Sequence, residues 1–154
     1  MKPTRISFGG TAAIVTSMAL IAGLEAAHAQ KATMVSALLI AAIADNLTDS
    51  LSVHMYQESE RLAKREVFVG TLTNFATRFI VCLSFVLMVT LMGRDSAAIV
   101  GITWGMLLLA VLSYVLARHR KMGVWAEIGK HLTSALVIVF VSRAIGHWIT
   151  AHVI

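Results

Sequence analysis

Ala97-Ala98-Ile99-Val100-Gly101-Ile102-Thr103-Trp104-Gly105-Met106-Leu107-Leu108-Leu109-Ala110-Val111-Leu112-Ser113-Tyr114-Val115-Leu116 is a run of twenty residues without a charge. A helix needs about 20 mostly apolar residues to cross the hydrocarbon of a bilayer. This run meets that length, and basic residues follow it at once in Arg118, Arg120 and Lys121. It reads as a transmembrane helix.

Four more runs of the same kind lie along the chain, at about 6–24, 33–55, 68–92 and 132–153. Connections between them are short, and the only proline is Pro3. No Pro/Ser-rich linker or internal repeat divides the chain, so one domain is expected over residues 1–154. Composition agrees. The 154 residues are 58% hydrophobic and 14% charged, against about 25% charged in a soluble domain. A soluble globule this short could not bury so much apolar surface. The expected fold is an all-α membrane protein, a bundle of five transmembrane helices.

Lysine and arginine orient the bundle. Lys2, Arg5, Arg61, Lys64, Arg65, Arg118, Arg120, Lys121 and Lys130 fall on one side, and only Lys31 and Arg94 on the other. Nine against two places the N-terminus in the cytoplasm and the C-terminus outside, as five spans require. The formal charge of +5 is spread in these short clusters and not over a phosphate-binding face, so nucleic acid is not an expected partner. Another reading of the start stays open. Lys2 and Arg5, an apolar run and Ala27-His28-Ala29 imitate a cleavable secretory signal, which would leave a four-span protein.

Polar residues within the spans are the candidates for function. In the second run, Asp45, Asp49, Ser52 and Tyr56 fall within a helical sector of about 60°. Asn46, Val53 and Gln57 form its shoulder, and Glu60 continues the line beyond the span. A carboxylate at mid-bilayer costs at least about 2.5–3.5 kcal/mol, so two of them one turn apart call for an explanation. One explanation is an ion or proton pathway with oxygen ligands from Asp45, Asp49, Asn46 and Ser52. Hard divalent cations favour such ligands, while Met55 or His54 would suit a softer ion. Glu58 and Glu60 would then form a mouth. The other explanation pairs the aspartates with Arg78 in the third span and Arg143 in the fifth, as structural ion pairs. Cys82, within Phe79-Ile80-Val81-Cys82-Leu83-Ser84-Phe85, reads as a small buried hydrophobe. No nucleophile–base pair, phosphate loop or zinc-ligand spacing occurs, so enzyme chemistry is not expected and no resident cofactor is implied.

Several stretches resemble the vacuolar iron transporter (VIT) family. Ala13-Ile14-Val15-Thr16-Ser17-Met18-Ala19-Leu20-Ile21-Ala22-Gly23 is similar to that family's first span, which reads much like GIVTTLALIAGV in bacterial members. The second span resembles the family's ANLLADGLSMA, with Asp49 and Ser52 at its Asp and Ser and Asp45 opposite its Asn. Glu127-Ile128-Gly129-Lys130-His131-Leu132 through Arg143-Ala144-Ile145-Gly146 is similar to the last span. The resemblance implies five helices, a homodimer and a prokaryotic inner membrane. It also implies export of Fe²⁺ or Mn²⁺ from the cytosol in exchange for protons. The chain departs from the family at three places. Ala12 stands where the first span carries an acid, Val53 replaces a methionine, and residues 57–66 leave no room for the glutamate-rich insert of some members.

Overall fold

The computed structural model describes residues 3–60 and 63–153, with side chains described for 9–60, 63–93 and 96–153. Lys2 and Arg61, two of the orienting charges, lie outside the described residues, as do the side chains of Arg5 and Arg94. The described chain folds into five long helices: α1 (Pro3–Ala26), α2 (Lys31–Ser59), α3 (Lys64–Leu91), α4 (Arg94–Arg120) and α5 (Val124–His152). There is no strand among the described residues. Each helix is long and apolar enough to cross a membrane, and each is longer than the apolar run that announced it.

The ends follow from local chemistry. α1 stops where Ala29 N–H bonds Leu24 O and His28 N–H bonds Glu25 O, with His28 at a φ of 55°. α4 stops in the same way at Lys121, also at a φ of 55°, with Met122 N–H on Ala117 O. This double bond to the last turn is a common helix stop that usually employs glycine. At the far end of α3, Lys31 Nζ donates to the carbonyls of Thr90 and Met92 at 2.6 and 2.8 Å. These carbonyls have no partner within the helix, and the bonds tie the start of α2 to the end of α3.

α1 lies in the middle. It packs against each of the other four, while α2 packs on α3, α3 on α4 and α4 on α5. Half of its apolar window is buried inside the protein, against 17% for α5. A helix that is apolar all round yet little covered by protein belongs against lipid, and this holds for α5 and for the exposed Ile99, Leu107, Phe140 and Ile145. The core runs along α1 through Ile14, Met18 and Ile21, which meet Phe85, Leu109 and Val139. At Gly146 a Cβ would strike the carbonyl oxygen of Gly23, so α1 and α5 approach there as only glycine permits.

Candidate functional site

α2 is not a uniform α-helix. Ala41–Asp45 form a single π turn at its midpoint. Asn46 N–H bonds Ala41 O, five residues back, which takes from Ala42 O the amide it would have had in an α-helix. The Asn46 side chain repairs the loss by donating its own amide to Ala42 O at 2.8 Å. The turn therefore leaves no carbonyl stranded, and its last residue is Asp45.

Arg78, near the midpoint of α3, meets the end of this turn and the residues just after it with three nitrogens. Its Nε donates to Asn46 Oδ1 at 2.8 Å and its Nη2 to Asp45 Oδ2 at 2.8 Å. Its Nη1 lies 3.2 Å from Asp49 Oδ2. Asn74, one turn earlier on α3, donates to Asp49 Oδ2 at 3.0 Å and to Ser50 Oγ at 3.3 Å. Space for this cluster comes from α1. A Cβ on Gly9 would overlap Asn74 Oδ1 and press on Arg78 Cγ. Behind the cluster, Cys82 is buried against Ala13 and Ala42, and its sulfur accepts from Ser17 Oγ at 3.7 Å.

Burial is asymmetric. The Arg78 side chain is 3% exposed, whereas Asp49 is 29% and Asp45 50% exposed. Each carboxylate reaches the guanidinium through Oδ2 alone, and among the described residues neither Oδ1 has a hydrogen-bond partner. Two carboxylates therefore share one guanidinium, and both are more exposed than the arginine that holds them.

The predicted site residues divide around this cluster. Asp45, Asp49 and Asn46 come together at Arg78. Ser52 lies further along the exposed face and donates to Thr48 O at 3.0 Å. Met55 is exposed, Glu58 pairs with His54 at 3.5 Å, and Glu60 is exposed at the end of α2. None of these four reaches the aspartates. Among the described residues no group of three or more His, Cys, Asp or Glu side chains is placed to hold a metal ion.

Of the two arginines read as alternative partners for the aspartates, Arg78 reaches both and Arg143 reaches neither. Arg143 Nη1 lies 3.0 Å from Glu25 Oε2, because α1 separates α5 from α2 and offers its own carboxylate at the level of Arg143. Sequence reasoning missed Glu25 as a partner, and it missed Asn74 and Ser50. Asn74 was legible as a polar residue four positions before Arg78 and hence on the same helical face.

No protein-family model, curated protein or solved structure matches this chain.

Proposed function

We propose that this protein is a VIT-like carrier of divalent cations, Fe²⁺ or Mn²⁺, which it exports in exchange for protons. The observation that carries the reading is a charge count. Two carboxylates and one guanidinium at the midpoints of two spans leave one net negative charge, and Arg143 is spent on Glu25. A pair of aspartates matched by a pair of arginines would be neutral and complete. The arrangement here has a charge left over at the depth where a bare charge is most expensive, and a cation or a proton is what balances it.

The roles follow from the contacts. Arg78 neutralises one carboxylate permanently and holds both in place through Asn46 and the π turn. The free Oδ1 atoms of Asp45 and Asp49 are hard oxygen donors of the kind Mn²⁺ and Fe²⁺ accept. When the cation leaves, protons on the carboxylates replace its charge, which couples the two flows. Asp45, Thr48 and Ser52 lie on an exposed face of α2 in mid-span, and a second copy of the chain laid there would shield them from lipid and bring more carboxylates to the ion. The reading therefore includes a homodimer in a prokaryotic inner membrane, with the N-terminus cytoplasmic.

A second reading has its own support. Both aspartates touch one buried arginine, which is what an ion cluster that merely fixes helix packing would look like. Flux separates the two. Wild-type protein in liposomes holding a Mn²⁺-sensitive dye should pass Mn²⁺ and move protons the other way, and Asp49→Asn should fold normally yet lose both. Wild-type vesicles no more permeable than protein-free ones would leave only the packing role.

A further inference from the structure

α1, α4 and α5 enclose a groove of about 510 Å³ on the opposite flank from α2. Its walls are Ala12 and Val15 of α1, Leu109 and Leu116 of α4, and Ala135 and Ile138 of α5. Two basic side chains also line it, Arg120 and His131. Arg120 is the last residue of α4, is exposed, and has no ion pair among the described residues. His131 sits deeper, with Nδ1 hydrogen-bonded to Ser113 Oγ at 2.8 Å and Nε2 3.9 Å from Glu127 Oε2. Glu127, the nearest acid, is already held by Lys130 Nζ at 3.0 Å.

We infer that this groove binds an anionic phospholipid, with an acyl chain along the apolar walls and the phosphate on Arg120. Three observations argue for that occupant. Apart from Arg120, His131 and the Thr11 and Ser134 hydroxyls, the walls are hydrocarbon, so they accept an acyl chain. The charge that lines the groove without an ion pair among the described residues is positive, that of Arg120. Trp125, 84% exposed just past the same turn, marks headgroup depth in the manner of interfacial tryptophans. A chain entering sideways from the bilayer would therefore bring its phosphate level with Arg120. Basic pockets between spans are where acidic headgroups settle. A second copy of the chain would bring like charges to this rim, and a zwitterionic lipid would bring a cationic group toward them.

Native mass spectrometry of the detergent-purified protein tests this without any flux measurement. Dioleoyl phosphatidylglycerol should be retained in preference to dioleoyl phosphatidylcholine. Arg120→Ala should reduce that preference about fivefold, Arg120→Lys should restore most of it, and Arg118→Ala should leave it unchanged. Ala12→Leu, which fills the groove without altering charge, should lower retention of the lipid while circular dichroism shows the helices intact. Equal retention of the two lipids would overturn the inference. So would equal losses in the Arg118 and Arg120 variants, which would mean a general lipid annulus, or a dimer that Ala12→Leu breaks in the absence of phosphatidylglycerol.

Discussion

Arg78 Nε and Asn46 Oδ1 lie 2.8 Å apart, and the same asparagine caps Ala42 O at the π turn. One side chain thus holds both the arginine and the backbone irregularity that presents Asp45. Asn46→Ala removes both bonds and leaves a buried carbonyl and part of a buried guanidinium without partners. The expected loss of stability is about 3 kcal/mol, read from unfolding in a graded detergent mixture. A change within a few tenths of a kcal/mol would show that the π turn stands without its cap.

Charge at the cluster should be separable from function. Arg78→Leu alone strands two carboxylates at mid-span, and removing one partner of a buried ion pair costs about 3–5 kcal/mol; folded yield should fall sharply. Adding Asp45→Asn and Asp49→Asn removes the stranded charges and should recover yield, while Mn²⁺ flux stays absent. Poor yield in the triple variant would mean that Arg78 is needed for its shape, not for its charge.

The five spans were legible because each is a mostly apolar run of membrane length, and Ala97–Leu116 is free of charge throughout. The face of α2 was legible only in part: Asp45, Ser52 and Tyr56 do share an exposed face, but Asn46 and Gln57, read as its shoulder, are buried. The partners were not. Arg78 and Arg143 are equally plausible counter-ions by position along their helices, and what distinguishes them is which helix α1 screens from which. That is a fact of packing, carried by Gly9 and by the Gly23–Gly146 approach, and periodicity within one helix holds no record of it. The π turn was equally hidden, since Ala41-Ala42-Ile43-Ala44 is ordinary helix-forming sequence.

Gly9 gives α1 its place beside the cluster. A methyl group there meets Asn74 Oδ1, and Asn74 cannot simply swing away, because Asp49 and Ser50 hold its amide nitrogen. Gly9→Ala should therefore lower the melting temperature in detergent, with a loss of about 1–3 kcal/mol as for other overpacked sites. Adding Asn74→Ala should return part of that loss by vacating the space. An unchanged melting temperature in Gly9→Ala would mean that α1 can shift away from α3 at this level.

Glu25 and Arg143 provide an independent check on the arrangement of α1. Their side chains are 34% and 41% exposed, so the pair is weaker than the cluster at Arg78, and a coupling of about 1 kcal/mol is the scale expected for a partly exposed ion pair. A double-mutant cycle with Glu25→Gln and Arg143→Leu, read as unfolding free energy, should return that coupling. The parallel cycle with Asp49→Asn and Arg143→Leu should return none, because α1 stands between them. Coupling in the second cycle and not in the first would put Arg143 at the aspartates. The cluster would then be neutral, with no charge left over for a cation to balance.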